Sequence, residues 1–202
     1  MDKAVIFDWG GVLVRTTDYS SRHAWDHHLG LPSGAVESIV HGIPAWEEAQ
    51  RGMITPEAYW EAVRESLGLD SEALVTLRED FYMGDRLDET LAELIVDLRG
   101  RGVLIGLLSN DTLDLYDTLA AFELEPLFDA VVISAGIGLM KPDPAAYQAV
   151  LEQLGVAPQQ AVLVDDFPAN VDGARAVTWR RFSLPPTSTW CLCLIAGFPR
   201  KG

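Results

Sequence analysis

Basic residues are scarce in this chain. Its 202 residues include 15 Lys and Arg against 30 Asp and Glu, which gives a formal net charge of −15 at pH 7. Nucleic-acid backbones are bound through clustered Lys and Arg, so this composition argues against a nucleic-acid partner and against an anionic membrane surface. It is compatible with a small phosphorylated substrate, because one metal ion and one lysine can make a locally positive pocket in an acidic protein.

Cysteines and long apolar runs are also rare. The two cysteines, Cys191 and Cys193, are separated by one residue, and a disulfide between them would be strained. We expect both to be free thiols in a reducing compartment, since no further metal ligands stand near them. Residues 1–9 lack a signal-peptide pattern, and no apolar run approaches the length of a membrane-spanning helix. These features predict a cytoplasmic protein with no membrane partner.

Hydrophobic residues make up 49% of the chain, which is enough to bury a core. The run "AVIFD", residues 4–8, predicts a buried strand. From about 16 to 100 the sequence predicts consecutive helices with no strand between them, and Thr55 and Asp70 are placed as helix N-caps. The helices are predicted in "SRHAWDHHLG", "IPAWEEAQRG", "TPEAYWEAVRESLGL", "DSEALVTLREDFY" and "DETLAELIVDLRG".

Beyond residue 100 strands and helices alternate. Strands are predicted at 102–110, 129–135 and 161–166, and helices at 111–122, 143–155 and 168–177. This alternation predicts an α/β fold with a doubly wound, Rossmann-like parallel sheet covered on both faces. Residues 15–86 are then a helical insertion into a core formed by 1–14 and 87–202. The tail after about residue 178 has no readable period, although "WRRFSL" is compatible with a further strand.

Polar side chains lie at the carboxyl ends of the predicted strands, and one more lies in the loop that follows the strand at 129–135. Each alone has an ordinary explanation as a turn former, a helix cap or a surface charge. In parallel strands, however, these positions meet at one edge of the sheet, where converging carboxylates need a cation such as Mg²⁺. The residues are Asp8, Ser109, Asn110, Lys141, Asp165 and Asp166.

Four segments together resemble the four motifs of the haloacid dehalogenase superfamily, in order and in spacing. They are "FDWGGVL", "LLSN", "GLMKPDPAAY" and "VLVDDFPANVDGA", and the resemblance covers residues 4–177. It implies that the helical insertion is a cap that follows the first motif. It also implies a Mg²⁺-dependent phosphatase that hydrolyses a small phosphorylated metabolite through an aspartyl-phosphate intermediate.

The resemblance assigns the metal site and the nucleophile. Asp8 is the expected nucleophile, and Mg²⁺ is expected to be held by Asp8, the main-chain carbonyl of Gly10 and Asp166. Asp165 is expected to lie close to the metal and to act through water. Asn170 is expected to orient the aspartates or the lysine from behind.

The resemblance also assigns the phosphate site. The Ser109 hydroxyl and the main-chain amide of Asn110 are expected to hold phosphoryl oxygens, together with Trp9 and Gly10. Lys141 is expected to offset the negative charge of the nucleophile and the phosphate. Phosphoryl transfer depends mainly on such positioning and charge stabilisation, so removing Lys141 or Mg²⁺ should be severe.

The second position after the nucleophile departs from the family pattern. Most phosphatases of the superfamily carry a second Asp there as proton donor, and this chain has Gly10. Three interpretations stay open: a 2-haloacid dehalogenase-type hydrolase, a catalytically weak binding module, or a phosphatase with altered proton transfer. The last resembles glucose-1-phosphatase-like members with "FDLG", and it favours good leaving groups such as sugar 1-phosphates. A mutase is disfavoured, since Gly10 can be neither acid nor base.

The cap offers side chains that can contact a substrate. One hypothesis is that a cap histidine replaces the missing acid, since histidine titrates near neutral pH. The tryptophans at helical spacings are more typical of a cap core, and an arginine before a helix-ending glycine can serve the helix dipole. The sequence specifies neither the substrate nor the choice between monomer and homodimer. The cap candidates are His23, Trp25, His27, His28, Trp46 and Arg51.

Overall fold

The computed structural model describes residues 4–177 and the backbone of residues 180–183. The strands in this part of the chain are β1 (Ala4–Phe7), β2 (Val14–Thr16), β3 (Asp85–Leu87), β4 (Leu104–Ser109), β5 (Ala130–Ile133), β6 (Ala161–Asp165) and β7 (Arg180–Ser183). The helices are α1 (Ser20–His28), α2 (Ala35–Gly42), α3 (Pro44–Gln50), α4 (Pro56–Leu67), α5 (Ser71–Phe81), α6 (Glu89–Gly100), α7 (Asp114–Ala121), α8 (Ser134–Ile137), α9 (Pro144–Leu154) and α10 (Pro168–Ala176).

Five strands form one parallel sheet in the order β5-β4-β1-β6-β7. Phe7, at the end of β1, pairs with Leu107 on one side and with Val164 on the other. The residues that follow these strands therefore leave the sheet at the same edge, as the sequence predicts. The strand order changes direction at β1, so this edge is where a doubly wound sheet places its ligands.

Alternate residues of the strands face two separate apolar layers. Val5 and Phe7 pack under α6 and α7, whereas Ala4 and Ile6 pack under α9 and α10. Both faces of β1 are fully buried, which explains why its sequence is a continuous apolar run. The predicted doubly wound α/β fold is confirmed.

The helices α1 to α5 lie between β2 and β3 in the chain, and they share a hydrophobic cluster of their own. The prediction of helices without strands from 16 to 100 is wrong at its start and at 85–87, because β2 and β3 pair as an antiparallel ribbon. Each strand has three residues, too few for a readable alternation. Side chains hold the ribbon: Asp85 accepts hydrogen bonds from Thr16 at 2.6 Å and from Arg22 at 3.0 Å.

Helix α2 has no counterpart among the predicted helices. Its N-cap is Gly34, which has a positive φ of 83° and no side chain to accept a hydrogen bond. The buried carboxylate of Asp26 supplies the cap instead, accepting from the main-chain N–H groups of Gly34 at 2.6 Å and Val36 at 2.8 Å. Since this cap comes from α1, the usual sequence signal for a helix start is missing.

Other boundaries follow local signals. The side chains of Thr55 and Asp70 cap α4 and α5 as predicted, and the Asp143 side chain caps α9. Ser134 was placed in a strand by its sequence but begins α8, directly after β5. Strand β7 lies within "WRRFSL". The cysteine prediction and the rest of the tail fall on residues outside the described part.

No helix within the described residues is both long enough and apolar enough to cross a bilayer.

Candidate active site

Asp8, Lys141 and Asp165 form a buried charged cluster at the edge of the sheet. Asp8 follows β1, Asp165 ends β6, and Lys141 lies in the loop between α8 and α9. The Lys141 ammonium is 2.9 Å from Oδ1 of Asp8 and 2.6 Å from Oδ2 of Asp165, and its side chain has no exposed surface. One cation therefore holds two carboxylates that come from adjacent strands.

Both oxygens of Asp165 are used inside the protein. Oδ1 accepts from the main-chain N–H of Phe167 at 2.9 Å, and the Asn170 side-chain amide lies 3.0 and 3.1 Å from the two oxygens. Lys141 occupies Oδ2. Asn170 thus contacts Asp165, and Asp165 holds the ammonium of Lys141.

Asp166 differs from its neighbour in being exposed. One carboxylate oxygen from each of Asp8, Asp165 and Asp166 lies within 4.8 Å of the others, close enough to share an ion. Gly11 approaches the third carboxylate so closely that a Cβ on it would be 2.1 Å from Oδ2 of Asp166, and its φ is 75°. An oxygen-only donor set is the kind that binds hard cations such as Mg²⁺, so these residues fit a magnesium ion.

The end of β4 contributes Ser109 and Asn110. Ser109 is buried, and its hydroxyl makes no hydrogen bond to another side chain or main-chain group in the described residues. The Asn110 side chain instead bonds to the backbone of Lys141. Its amide donates to the Lys141 carbonyl, and its Oδ1 accepts from the Lys141 main-chain N–H, both at 2.8 Å. Asn110 therefore fixes the backbone that carries the lysine.

The loop after β1 contributes main-chain groups. The Trp9 main-chain N–H donates to Oδ1 of Asp8 at 2.8 Å, and the indole of Trp9 packs in the core against Phe122. Gly10 is exposed, and a Cβ built on it meets no atom within 4 Å. The position that a Cβ would take at residue 10 is therefore open.

Burial dominates the ionisation of the cluster. It raises the pKa of Asp8 to about 6; the nearby charge of Lys141 lowers this pKa, and that of Asp165 raises it. Burial by itself lowers the pKa of Lys141, but the charges of Asp8 and Asp165 outweigh it, so the pKa is raised overall. Lys141 is therefore protonated, and its charge favours the ionised form of Asp8.

A family model of haloacid dehalogenase-like hydrolases matches residues 3–178, the core and the insertion together. This chain belongs to that family. A sesquiterpene phosphatase of Aspergillus oryzae is 30% identical over 94% of this chain and 93% of the relative. A phosphatase of Mycobacterium tuberculosis is 29% identical over 89% of this chain and 85% of the relative.

A solved haloacid dehalogenase-family enzyme of Bacteroides thetaiotaomicron shares the fold. Its structure, a complex with magnesium and inorganic phosphate, superposes with a TM-score of 0.78 at 21% identity, over 94% of this chain and 98% of that chain. The predicted membership of the superfamily is confirmed.

The cap candidates make their described contacts within the cap of this hydrolase. His23, His27 and His28 are exposed on α1, where the His23 ring stacks on Tyr19 and the His28 ring meets Trp25 edge-on. The indole of Trp25 donates to Asp80 of α5. Nothing in these contacts places a histidine beside the charged cluster.

Two further cap candidates also have partners within the cap. Trp46 packs against Tyr59, with 5.1 Å between ring centroids, in the cap's hydrophobic cluster. Arg51 pairs with Glu47 at 2.9 Å on the exposed side of α3. The segment around Arg51 does approach the core: a Cβ on Gly52 would be 2.2 Å from the Ala135 carbonyl.

Two residues near the site were not predicted. Gln50, buried in the cap, donates to the Asn110 main-chain carbonyl at 2.7 Å. Asp111 directly follows Asn110, and burial raises its pKa to about 7; the Thr112 N–H opposes this shift and the charge of Asp8 adds to it. The signal for Asp111 was its place beside "LLSN", where it read as an ordinary helix cap.

Proposed function

We propose that this chain is a Mg²⁺-dependent phosphoric monoester hydrolase with Asp8 as nucleophile. The observation that carries the proposal is the pairing of Asp8 with the buried Lys141, next to the oxygen cluster completed by Asp166. A carboxylate that attacks a phosphate dianion meets like charge, so it needs this concentration of positive charge. The phosphatase relatives support the same reaction class.

The bonds change in two steps. An Asp8 oxygen attacks phosphorus in line with the ester oxygen, the P–O bond to the leaving group breaks, and an aspartyl phosphate forms. Water then attacks phosphorus, the bond to Asp8 breaks, and inorganic phosphate leaves. Lys141 and the Trp9 N–H hold Oδ1 of Asp8 and so fix the orientation of the nucleophile. The Ser109 hydroxyl is available to a phosphoryl oxygen.

The residues that would hold magnesium are Asp8, Asp166 and the Gly10 carbonyl. Asp165 would act through water, because Lys141 and its other donors already occupy both of its oxygens. When bound, the ion supplies Lewis-acid polarisation of the phosphoryl oxygens and offsets their charge. The magnesium and phosphate bound to the B. thetaiotaomicron enzyme support this choice of ion.

The two alternatives, a dehalogenase and a binding module, would require different groups at the site. A dehalogenase of this family needs no metal, so the adjacent Asp165 and Asp166 favour the phosphatase. A binding module does not require a nucleophile paired with a buried lysine. We expect the substrate to be a small phosphorylated metabolite with a good leaving group, such as a sugar 1-phosphate, met in the cytoplasm by a monomer or homodimer.

The test is phosphate release from a panel of esters with and without Mg²⁺. The panel contains a sugar 1-phosphate, an aryl phosphate, an alkyl phosphate and a terpenyl phosphate, the last because one relative is a sesquiterpene phosphatase. Release that requires both Mg²⁺ and Asp8, and is lost in Asp8→Asn, supports the proposal. No release from any ester overturns it, and chloride release from a 2-haloacid would favour the dehalogenase alternative.

A further inference from the structure

We propose that Asp111 is the acid and base of this hydrolase, in place of the carboxylate that Gly10 lacks. The inference rests on the proposed phosphatase function. In the first step the Asp111 carboxylic acid gives its proton to the departing ester oxygen as the P–O bond breaks. In the second step the Asp111 carboxylate takes a proton from the water that attacks the aspartyl phosphate, which restores the acid.

The site's other carboxylates are already committed. Asp8 is the nucleophile, and Asp165 accepts from Lys141, Asn170 and a main-chain N–H. Asp166 belongs to the oxygen cluster that fits magnesium. Gly10 itself offers no side chain, and a Cβ there would meet no atom within 4 Å.

Asp111 is held rigidly at the correct end of the sheet. It lies two residues after Ser109, where β4 ends. Its main-chain N–H donates to the Ser134 hydroxyl at 3.0 Å, and that hydroxyl donates back to the Asp111 carbonyl at 3.2 Å. Ser134 is 1% exposed, so this double contact anchors the loop on the core.

The Asp111 carboxyl is half-buried and has one free oxygen. Oδ1 accepts from the Thr112 N–H at 2.7 Å, whereas Oδ2 has no hydrogen-bond or ion-pair partner among the described residues. Arg78 of α5 is paired with Asp114 at 2.6 Å. A carboxyl with one anchored and one free oxygen can transfer a proton without breaking its own support.

Groups from the core and from the helical insertion both act on this carboxyl. Asp8 and Asp114 of the core lie within its electrostatic range, and so do the phenols of Tyr59 and Tyr82 from the cap. In an in-line transfer the leaving group departs from phosphorus on the side opposite the attacking Asp8 oxygen, so its proton donor must lie on that side as well. The pKa of about 7 suits a group that acts first as an acid and then as a base.

The experiment compares Asp111→Asn with the native hydrolase on 4-nitrophenyl phosphate and on an alkyl phosphate, both with Mg²⁺. Asparagine still accepts from Thr112, so the fold is kept while the proton is lost. We expect kcat/KM for the alkyl ester to fall by about 10²–10⁴-fold, with a smaller loss for the aryl ester, whose leaving group needs little protonation. The limb near pH 7 in the native pH profile should disappear.

A carboxyl restored at position 10 tests whether Asp111→Asn loses activity through lost proton transfer or through a change in structure. Asp111→Asn combined with Gly10→Asp should regain activity on the alkyl ester relative to Asp111→Asn alone. Asp117→Asn, an exposed acid on α7, is the matched control and should keep the native leaving-group dependence. If Asp111→Asn is too unstable to assay, Asp111→Ser, which retains an oxygen for the Thr112 N–H, replaces it.

The outcomes distinguish the two proposals. If native phosphate release requires Asp8 and Mg²⁺ but Asp111→Asn keeps the native leaving-group dependence and pH profile, the role of Asp111 is overturned and the phosphatase stands. If the native chain releases no phosphate from any ester, both proposals fail together. Both proposals are supported if Asp111→Asn loses activity selectively on the alkyl ester and the added Gly10→Asp restores it.

Discussion

The side-chain amide of Gln50, at the end of α3, donates a 2.7 Å hydrogen bond to the main-chain carbonyl of Asn110. This bond joins the cap to the loop that carries Ser109 and Asp111. It is buried and lies beside the close approach of Gly52 to Ala135, so the cap rests on the core at this point. Gln50 and Gly52 therefore both contribute to the contact between the helical insertion and the core, as does the ion pair of Arg78 on α5 with Asp114 on α7.

Replacing Gln50 by Ala should weaken the closed position of the cap. A buried hydrogen bond contributes about 1 kcal/mol, which corresponds to about a fivefold rise in KM with little change in kcat. Steady-state kinetics on the best ester of the panel measure this effect. Gln148→Ala, which removes an exposed amide that bonds Glu152 on α9, is the control. An unchanged KM in Gln50→Ala would contradict a role for the bond in closure.

Replacing Lys141 by Met should be severe for stability as well as for activity. Two buried carboxylates, Asp8 and Asp165, lose their shared cation, and breaking such a buried pair costs about 3–5 kcal/mol of unfolding free energy. Loss of a charge-stabilising group in the site lowers kcat by at least about 10²-fold. Adding Asp165→Asn to Lys141→Met should recover part of the stability and none of the activity, as denaturant unfolding and phosphate release would show.

Asp111 should make stability depend on pH. Its pKa is about 7 in the folded chain against an ordinary aspartate value of 3.8, so the folded state holds this proton more tightly than the unfolded state. The protonated Asp111 carboxyl contributes this stability in full when the pH is below its pKa in the unfolded chain. The contribution is lost as the pH rises through about 7. Because asparagine does not titrate, the Tm of Asp111→Asn relative to the native chain should rise between about pH 4 and pH 7 and then level off.

Thermal unfolding across this pH range, without added metal, tests the prediction. Asp117→Asn should show no such trend, because that carboxyl is exposed on α7. A Tm difference between Asp111→Asn and the native chain that stays constant with pH would show that Asp111 is charged throughout the range.

Gly11→Ala should disturb the magnesium site. The new Cβ would lie 2.1 Å from Oδ2 of Asp166, so the carboxylate must move away. We expect Mg²⁺ affinity to fall by at least about tenfold, the size of effect typical when the support of a metal ligand is lost. Gly102→Ala shares the positive φ, at 79°, but meets no atom within 4 Å, so it isolates the backbone cost. Titration calorimetry should separate the two variants, and equal Mg²⁺ affinities would rule out the contact as the cause.

Local patterns in the sequence determined the sheet and the residues at its edge. The apolar runs ending in Asp8, Ser109 and Asp165 specify buried parallel strands, and parallel strands bring their carboxyl ends together. Helix starts at Thr55 and Asp70 were readable because the capping side chain sits next to the helix it caps. Each of these signals lies within a few residues, so the sequence alone suffices for them.

Other features depended on residues far apart in the chain. Asp26 caps α2 from another helix, Asp85 holds the β2–β3 ribbon through Thr16 and Arg22, and neither contact leaves a local signal. The environment of Asp111 likewise results from the packing of the cap on the core. Burial and the field of Asp8 set its pKa, and both arise only when the chain is folded. The sequence alone thus determined which carboxylates meet, while tertiary structure decided which of them is bonded, which is exposed and which retains a free oxygen.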